Sequence, residues 1–341
     1  MSERTVAFAP GRVNLIGEHT DYNGGLALPF AIDQGVTVTA TPLVGGEVEV
    51  VALDLDGEVD RFPLDAPERA DGWRAFARGM VAELRGAGHD VRAARLEVTG
   101  DVPQGSGLSS SAALEVALAL ALLRTDDVDR IALARLCSRV ENVWVGAETG
   151  LLDQTASLLG RADHALRIDF ATLDTRQVPC DIGDWTLVTV DSHEQHSNAS
   201  GGYNERRAEC REAAERLGVE HVAQADRTAA ERLPDPLRKR VLHVLDEDER
   251  VDATVDALAG GDLDAVARLL DESHASMRDQ YEASTPKVEE TVRELKEHGA
   301  AGARMVGGGF GGHVLGLLPP GVTPPAGATV VTPADGAHVK R

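Results

Sequence analysis

The segment at residues 9–31 constrains the fold of this chain more than any other part of the sequence. It reads APGRVNLIGEHTDYNGGLALPFA, in which hydrogen-bonding side chains crowd between turn-forming glycines and a closing apolar run. Because a buried polar group needs a hydrogen-bond partner, such a segment is poor material for a hydrophobic core. We therefore expect it to lie at a surface that binds a small, hydroxyl-rich ligand.

A second segment has the composition of an anion-binding loop. Residues 102–115 read VPQGSGLSSSAALE, follow a predicted strand and run into a predicted helix. The first turn of a helix leaves N–H groups without partners at the positive end of the helix dipole, so phosphate can be held there without lysine. The absence of lysine also excludes a Walker A loop. A serine N-cap that only opens an amphipathic helix is the alternative interpretation.

Two further patterns resemble ligand-binding motifs without fitting them. Residues 305–312 read MVGGGFGG and contain G-x-G-x-x-G, but the residues that follow are predicted as a strand, whereas a dinucleotide-binding fold has a helix there. A tight glycine hairpin is the simpler interpretation. His193 and His196 imitate a zinc motif, yet they are three residues apart and the motif requires four. We expect no metal at that pair.

Composition and charge exclude several classes of partner. The formal net charge of −22 argues against nucleic acids and anionic membranes, so a bound phosphate must be held by local amides, a metal or an arginine. The three cysteines are widely spaced, and the N-terminal residues lack the apolar stretch of a secretion signal. The longest apolar run, at 112–123, contains Glu115 and is too short to cross a bilayer. We predict a cytoplasmic monomer.

Alternating and helical patterns predict a chain of mixed strands and helices. Strands are predicted at 6–9, 37–40, 48–53, 59–62, 96–99, 165–169, 186–191, 303–306, 314–318 and 328–331. Helices are predicted at 73–84, 108–124, 131–145, 205–217, 237–258, 263–277 and 288–298. Because the order has no regular strand–helix–strand period, we predict an α+β fold. A looser stretch at 171–184 divides the chain into predicted domains at 1–175 and 176–341.

The segments at 9–31, 102–115 and 305–312 together resemble the three motifs of the GHMP kinases, in the order in which that family has them. The first segment resembles the signature of the family's galactokinase branch, and the resemblance covers nearly the whole chain. It implies a two-domain GHMP fold, with an N-terminal domain like ribosomal protein S5, a ferredoxin-like C-terminal domain and the active site between them. It also implies phosphorylation of the C1 hydroxyl of galactose by ATP, with Mg²⁺ as cofactor.

The resemblance assigns the chemistry to Asp153. Residues 150–154 read GLLDQ and are similar to the family's segment with the catalytic aspartate. A carboxylate there can accept the proton of a sugar hydroxyl, and an arginine beside it can stabilise the transferred phosphoryl group. The resemblance gives the second role to Arg12. Helix N-capping is the alternative role for Asp153.

The other site residues follow from the same resemblance. The implied sugar ligands are Glu18, His19, Asp21, Gly150 and Tyr203. The implied ATP contacts are Trp73, Gly105, Ser106, Gly107, Leu108, Ser109, Ser110 and Ser111. Glu141 is the implied Mg²⁺ ligand, with Ser110 or Ser111 as its partner, and Glu148 is the alternative because it is close in sequence. A place in the hydrophobic core is the alternative for Trp73.

Two alternative functions stay open at this point. One is a related sugar kinase that acts on N-acetylgalactosamine or L-arabinose, although the complete set of Glu18, His19 and Asp21 favours galactose. The other is a sensor that binds galactose and ATP without catalysis. Relatives of that kind are altered in or near the segment that corresponds to residues 102–115, whereas this segment and Asp153 are complete here. We therefore expect an enzyme.

Overall fold

The computed structural model of the protein describes residues 4–102, 107–147, 149–194 and 199–340. Its strands are β1 (Thr5–Asn14), β2 (Leu26–Ala27), β3 (Pro29–Pro42), β4 (Glu47–Ala52), β5 (Glu58–Pro63), β6 (Ala94–Gly100), β7 (His164–Asp169), β8 (Thr175–Pro179), β9 (Thr186–Asp191), β10 (Gly302–Met305), β11 (His313–Leu318), β12 (Thr329–Val330) and β13 (His338–Lys340). Its helices are α1 (Trp73–Gly86), α2 (Ser110–Leu123), α3 (Arg130–Arg139), α4 (Leu152–Leu159), α5 (Ala199–Leu217), α6 (Arg227–Ala230), α7 (Leu237–Gly260), α8 (Leu263–Asp279) and α9 (Pro286–His298). This mixture confirms the α+β prediction.

A mixed sheet contains the first half of segment 9–31. Its strands lie in the order β13-β1-β3-β6-β4-β5. β1 pairs antiparallel with β3, with Val13 opposite Phe30 and a shift of register between Pro10 and Arg12. Both strands are longer than predicted, since the sheet continues through the polar residues. The expectation that this segment stays out of the interior is wrong, because Arg12 and Glu18 are buried with polar partners.

Helix α2 is apolar on nearly all sides and lies at the centre of the N-terminal half. It packs against β1 and β3 and against α1, α3 and α4. A helix that is hydrophobic all round is normally buried on every face, and this burial fixes the position of its N-terminus at Ser110. Although α2 is so apolar, no helix in the described part of the chain is both long and apolar enough to cross a membrane.

The second half of the chain packs helices on a smaller antiparallel sheet. The strand order of this sheet is β10-β11-β9-β12, and α8 and α9 pack against it. The glycine-rich loop at 305–312 leads directly into β11, which confirms the prediction of a strand at this point. A third sheet has the order β2-β7-β8. The stretch 171–184, which we predicted to be irregular, contains β8, so that prediction is wrong.

The two halves share a hydrophobic core. One cluster of buried side chains includes Val13 and Ile16 from the first half together with Leu270 and Leu315 from the second. The strand β13 returns to the first sheet and pairs antiparallel with β1. Residues from both sides of the predicted boundary near residue 175 therefore share one core and one sheet. The division into domains at 1–175 and 176–341 stays a prediction.

Most predicted elements are present with shifted ends. The predicted helix at 131–145 is α3 followed by a wider π-helical turn, Val140–Val145. The elements that no pattern predicted are α4, α6, β2, β8 and β13. Each of them has at most eight residues. Because helical and strand periodicity are read over longer windows, such short elements show no clear period.

Helix α7 holds the backbone of segment 9–31 through two carboxylates, one fully buried and one half-buried. Glu247 accepts a hydrogen bond from the Gly17 N–H at 3.0 Å, and Asp248 accepts one from the Leu26 N–H at 2.7 Å. Gly17 lies between β1 and β2, and Leu26 begins β2. Both N–H groups have their acceptor on α7, and a buried N–H without an acceptor is costly. The carboxylates of α7 therefore fix the shape of the segment between β1 and β3.

We predict that Asp248→Asn changes how stability depends on pH. Burial raises the pKa of Asp248 to about 7 from its ordinary value of 3.8, so the wild type loses stability as the pH rises from about 4 to 7. Asparagine keeps an acceptor for the Leu26 N–H but does not ionise. The free energy of unfolding of the variant should match that of the wild type near pH 4 and exceed it by on the order of 3 kcal/mol at pH 8, as measured by urea unfolding.

Asp256→Asn is the matched control, since Asp256 lies about two turns further along α7 and is exposed. The difference between this control and the wild type should not grow with pH. If the free energies of unfolding of the wild type and Asp248→Asn changed with pH in the same way, the proposed cost of ionising Asp248 would be contradicted.

Candidate active site

A cavity of about 570 Å³ lies where segment 9–31, the start of α2, the start of α4 and the loop at 305–312 meet. The predicted site residues in its lining are Arg12, Glu18, His19, Asp21, Gly107, Ser109, Ser110, Ser111, Glu141, Gly150, Asp153 and Tyr203. Gly307, Gly308 and Gly309 also form part of the wall. Residues from distant parts of the sequence thus face one volume that suits a small molecule.

Asp153 faces this cavity from the first turn of α4. The N-cap of α4 is Leu151, so Asp153 does not cap the helix. Its Oδ1 accepts a hydrogen bond from Arg12 Nε at 2.8 Å and lies 2.6 Å from Arg12 Nη2. Its Oδ2 accepts a hydrogen bond from Ser109 Oγ at 2.5 Å. The side chain of Arg12 is 7% exposed and that of Asp153 is 29% exposed, so the carboxylate is the member of the pair that an entering ligand can reach.

Ser109 precedes α2 in a left-handed backbone conformation, with φ of 62° and ψ of 47°. This conformation costs a residue other than glycine roughly 1 kcal/mol or more. The Ser109 side chain makes no capping bond to α2 and instead donates to Asp153. The N–H groups of the first turn of α2 are therefore left for another acceptor, as the prediction of an anion-binding loop requires.

Arg12 holds the loop before α2 in place. Its Nη1 donates a hydrogen bond to the Gly107 carbonyl at 2.6 Å, and its backbone N–H donates to the Leu108 carbonyl at 3.1 Å. The Leu108 side chain packs in the hydrophobic core and does not line the cavity. The predicted ATP contacts Gly105 and Ser106 lie outside the described residues.

Glu18 is buried at the junction of segment 9–31 and the glycine-rich loop. Its Oε1 accepts a hydrogen bond from the Gly307 N–H at 2.8 Å and lies 3.4 Å from Nη2 of Arg304, a fully buried residue of β10. Burial raises the pKa of Glu18, whereas the guanidinium groups of Arg304 and Arg12 lower it. Glu18 thus faces the cavity and also connects the two halves of the chain.

Asp21 fits beside the cavity because residue 150 is glycine. A Cβ at Gly150 would lie 1.7 Å from Asp21 Oδ2, which is far inside van der Waals contact. Burial, together with repulsion from the Asp153 carboxylate, raises the pKa of Asp21 to about 6. The two aspartates therefore add to the negative potential of one small volume.

His19 and Tyr203 form an aromatic part of the wall, with ring centroids 5.4 Å apart. Burial lowers the pKa of His19 to about 3, so its imidazole is neutral at physiological pH. Gly308 lies against Tyr203, since a Cβ at position 308 would be 3.0 Å from the ring carbon Cδ2. The glycine-rich loop therefore approaches the ring as closely as its backbone allows.

Glu141 lies on the π-helical turn that follows α3. Its Oε1 accepts a hydrogen bond from Ser111 Oγ at 2.9 Å. Its Oε2 accepts from Thr149 Oγ1 at 2.8 Å and from Gln154 Nε2 at 3.0 Å. Burial raises the pKa of Glu141, and repulsion from Asp153 raises it further. A carboxylate that is expensive to ionise alone is well placed to receive a cation.

The residues around Glu141 fit a magnesium ion that arrives with a phosphate-bearing ligand. Mg²⁺ takes one or two carboxylates together with phosphate and water oxygens, and Glu141 with Ser110 or Ser111 offers such a partial set. Within the described ranges, no three His, Cys, Asp or Glu side chains come together as a complete metal site. The alternative ligand Glu148 and the zinc-like His196 lie outside those ranges.

Trp73 does not line the main cavity. It faces a separate hollow of about 80 Å³, whose lining includes Leu114 of α2. Since α2 rises 1.5 Å per residue, Leu114 lies about 5 Å along the helix from Ser111. The Trp73 indole donates a hydrogen bond to Glu58 at 3.1 Å, and the Arg74 guanidinium lies 4.7 Å from its ring centroid. Its contact with adenine stays a prediction.

Several buried polar residues behind the cavity were not singled out from the sequence. Arg304 and Glu115 are charged residues inside the apolar stretches of β10 and α2, and both are fully buried. A charge inside an apolar run is the signal that could have found them, because a buried charge requires partners. Gln154 Nε2 donates to both Glu115 and Glu141 at 3.0 Å, so one amide joins two carboxylates.

Comparison with known protein families gives matches in both halves of the chain. Residues 1–42 match the family model of the galactokinase galactose-binding signature. Residues 75–161 match the GHMP kinases N terminal domain, and residues 254–332 match the GHMP kinases C terminal model. Arg12, Glu18 and His19 lie in the first match, and Asp153 lies in the second.

Individual relatives are similar over most of their length. A galactokinase of Streptomyces coelicolor is 44% identical over 322 residues, which cover 91% of this chain and 83% of that protein. A galactokinase of Mycobacterium tuberculosis is 45% identical over 325 residues, which cover 92% of this chain and 89% of that protein.

Two solved structures have a similar fold. The crystal structure of Lactococcus lactis galactokinase complexed with galactose has a TM-score of 0.91 and 32% identity, and the match covers 98% of this chain and 95% of that one. Methanococcus jannaschii mevalonate kinase has a TM-score of 0.68 and 18% identity, with 93% and 92% of the chains covered. At that lower identity the likeness concerns the fold alone.

We predict that Gln154→Leu destabilises the protein more at pH 8 than at pH 5. The substitution leaves the buried carboxylates of Glu115 and Glu141 without their shared donor, and burial already raises the pKa of both. The free energy of unfolding should fall by about 3 kcal/mol at pH 8. Protonation at pH 5 relieves part of this loss, since a group with a raised folded-state pKa costs less stability as the pH falls. Urea unfolding at both pH values measures the loss.

Gln177→Leu is the matched control. Gln177 is half-buried and donates to a single carbonyl, that of Leu159, at 2.7 Å. Its substitution should cost at most about 1 kcal/mol at either pH. Equal losses at the two glutamines, or a loss at Gln154 that does not vary with pH, would contradict the role given to the shared amide.

Proposed function

Since the chain belongs to the galactokinase branch of the GHMP kinase family, we propose that its cavity transfers the γ-phosphoryl group of ATP to the C1 hydroxyl of α-D-galactose. The protein is an ATP-dependent sugar kinase, and it phosphorylates galactose. The products of this reaction are α-D-galactose 1-phosphate and ADP.

The pair formed by Asp153 and Arg12 is the observation that carries the mechanism. The sugar hydroxyl must lose its proton as the new phosphorus–oxygen bond forms. Oδ2 of Asp153, the oxygen that Arg12 does not hold, accepts that proton, while the hydrogen bond from Ser109 keeps the carboxylate oriented. Arg12 stabilises the negative charge of the transferred phosphoryl group as the bond to ADP breaks.

The sugar would lie against segment 9–31. Glu18, His19 and Asp21 line the cavity, and the first of these is held by buried partners. Such oriented polar groups suit the neighbouring hydroxyls of a hexose, because an analogue that lacks a hydroxyl leaves a buried polar group unpaired. Gly150 contributes by admitting Asp21, and Tyr203 contributes a ring face.

The phosphates of ATP would lie at the N-terminus of α2, where the backbone N–H groups and the helix dipole favour an anion. The residues that we propose for this contact are Gly105, Ser106, Gly107, Leu108 through its backbone, Ser109, Ser110 and Ser111. The hollow beside Trp73 adjoins the same helix and has an apolar lining, which supports it as the place of the adenine ring.

Mg²⁺ would be held by Glu141 together with Ser110 or Ser111. When bound with ATP, the ion neutralises charge on the β- and γ-phosphates. The hydrogen bond between Ser111 and Glu141 favours Ser111 as the partner ligand, because the two oxygens already lie on one side of the cavity. Gln154 and Thr149 keep the Glu141 carboxylate turned toward the serines.

We place the enzyme in the cytoplasm as a monomer, without nucleic-acid or membrane partners. Cys137, Cys180 and Cys210 are buried free thiols, which suits a reducing compartment. A net charge of −22 opposes both self-association and the approach of nucleic acids or acidic lipids. Sedimentation at several protein concentrations tests the monomeric state.

The direct test of the function is ADP release with ATP and Mg²⁺ and a panel of acceptors. Galactose, glucose, N-acetylgalactosamine, L-arabinose, homoserine and mevalonate separate the sugar kinases from the other kinases of the family. Turnover with galactose well above all other acceptors is the expected result. Preference for N-acetylgalactosamine or arabinose would move the protein to another sugar, and binding of galactose and ATP without turnover would make it a sensor.

We predict that Asp153→Asn lowers kcat by about 10³-fold, because the amide does not accept the hydroxyl proton. The Kd for ATP should change by less than about threefold, since the N-terminus of α2 is unaffected. Steady-state kinetics and calorimetric titration of ATP give the two values. Asp256→Asn, an exposed position on α7, is the control and should match the wild type. Substantial turnover by Asp153→Asn would remove Asp153 from the role of base.

We predict that Gly150→Ala weakens galactose binding while the protein stays folded. The new Cβ would lie 1.7 Å from Asp21 Oδ2, so the carboxylate must turn away from its place at the sugar. The KM for galactose should rise by about tenfold or more, with a smaller change in the KM for ATP. Gly260→Ala, at the end of α7 with open space around it, is the control. An unchanged KM for galactose would contradict the contact between Gly150 and Asp21.

A further inference from the structure

The three tyrosines of the chain, Tyr22, Tyr203 and Tyr281, all gather around His19. The Tyr203 ring lines the cavity, whereas the Tyr281 ring is fully buried behind it. The centroids of His19 and Tyr281 are 4.4 Å apart, and those of His19 and Tyr22 are 5.9 Å apart. The catalytic scheme above gives no role to Tyr22 or Tyr281.

These rings are joined by a chain of short hydrogen bonds. His19 Nδ1 lies 2.8 Å from the Tyr22 hydroxyl, which lies 2.8 Å from the Tyr281 hydroxyl. Cys210 Sγ is 3.2 Å from the same Tyr281 oxygen, and Asn23 Nδ2 is 3.5 Å from it. At the other side of the imidazole, Nε2 of His19 lies 3.2 Å from the carbonyl oxygen of residue 308.

The groups at the two ends of this hydrogen-bonded chain determine which partner donates each hydrogen bond. A carbonyl only accepts, so Nε2 of His19 carries the proton, and a neutral imidazole then has an acceptor at Nδ1. Tyr22 must therefore donate to Nδ1, which leaves its oxygen to accept from the Tyr281 hydroxyl. The Tyr281 oxygen in turn accepts from the Cys210 thiol. Every donor in this series of hydrogen bonds then has one acceptor.

The buried end of this hydrogen-bonded chain holds two groups that can donate to the Tyr281 oxygen, the Cys210 thiol and the Asn23 amide. Burial raises the pKa of Cys210 to about 11, so the thiol keeps its proton. The Asn23 amide also donates to the His19 carbonyl at 2.6 Å, which fixes the orientation of the amide. Arg240, with its guanidinium 5.9 Å from the Tyr281 ring centroid, donates to the Gln280 carbonyl and to Glu282 and so fixes the residues on either side of Tyr281.

We propose that Tyr281, acting through Tyr22, is a positioning residue that holds His19 as the Nε2–H tautomer and thereby keeps His19 bonded to the Gly308 carbonyl. This inference rests on the proposed function, in which His19 is a sugar ligand. The bond joins segment 9–31 to the glycine-rich loop at the cavity wall. With the opposite tautomer, lone pairs of Nε2 and of the carbonyl would face each other and the contact would open.

The fixed tautomer also decides what the imidazole offers to the sugar. Nε2–H is then its one N–H group and already donates to the Gly308 carbonyl, so a hydroxyl that approaches this nitrogen can only share that donor as a second acceptor. Nδ1 is occupied by Tyr22 and is withdrawn from the sugar. An imidazole held in one tautomer and one orientation loses little freedom on binding, which favours tight recognition.

The tautomer can be read directly from the protein labelled with ¹⁵N-histidine. Two-bond ¹H–¹⁵N correlation spectra at pH 7 distinguish Nε2–H from Nδ1–H, and loss of one signal in His19→Gln identifies His19. We expect the Nε2–H pattern in the wild type and a mixed or Nδ1–H pattern in Tyr22→Phe. An Nδ1–H or protonated His19 in the wild type would overturn the inference without the use of any variant of the tyrosines.

Tyr281→Phe tests whether the more distant hydroxyl matters. It removes one hydroxyl and retains the ring, so packing against His19 is kept. We expect a partial shift of the His19 pattern, a rise of about threefold to tenfold in the KM for galactose and a change of less than about twofold in kcat. Tyr203→Phe is the control for the spectrum, because the Tyr203 ring touches His19 outside the hydrogen-bonded chain. Its His19 pattern should equal that of the wild type.

The outcomes separate a positioning role from a merely structural one. If Tyr281→Phe lowers stability but leaves the His19 spectrum and the KM for galactose unchanged, the hydrogen-bonded chain has only a structural role and the inference fails. If the wild type has the Nε2–H tautomer but phosphorylates no sugar, the proposed function fails while the spectral result stands. Cys210→Ala provides a second variant at the end of the chain, and its expected spectral shift is smaller than that of Tyr281→Phe.

Discussion

The burial of charged side chains in segment 9–31 is the constraint on which the rest of the structure depends. Arg12 and Glu18 lie inside the protein, and a buried charge is tolerated only with partners. Those partners come from distant parts of the chain: Asp153 for Arg12, and Arg304 with the Gly307 N–H for Glu18. The assembly of these pairs brings the loop before α2, the glycine-rich loop at 305–312 and α4 to one cavity. The same contacts therefore build the fold and the site.

The site concentrates negative charge and offers few cations to balance it. Asp21, Glu141 and Asp153 line one cavity, and burial with mutual repulsion raises the pKa of the first two. Arg12 is the cation that lines this cavity among the described residues. An ATP molecule without its metal would meet repulsion here, whereas one that carries Mg²⁺ brings the missing positive charge. At the ATP site that we propose, the electrostatics thus favour the metal complex of the nucleotide over the free nucleotide.

The sequence was most informative where the chemistry is local. The composition of residues 9–31 and 102–115 indicated the polar site and the anion-binding turn, and periodicity predicted long helices such as α2 and α7. It could not predict that Arg304 pairs with Glu18 or that β13 joins β1, because such pairing depends on the three-dimensional path of the chain. The polar composition of segment 9–31 also suggested exposure, since its partners Arg304 and Glu247 were not recognisable in the sequence.

The place of Arg304 near the end of the chain has a consequence for synthesis on the ribosome. While the nascent chain is still short, the loop before α2 and much of the first sheet can form from residues already made, but Glu18 lacks the Arg304 guanidinium and Gly17 has no carboxylate from Glu247. Segment 9–31 must then stay hydrated outside the interior. The sugar binding that we propose for this segment is therefore among the last features to mature, and a stalled chain that ends before residue 304 lacks the Arg304 partner of Glu18.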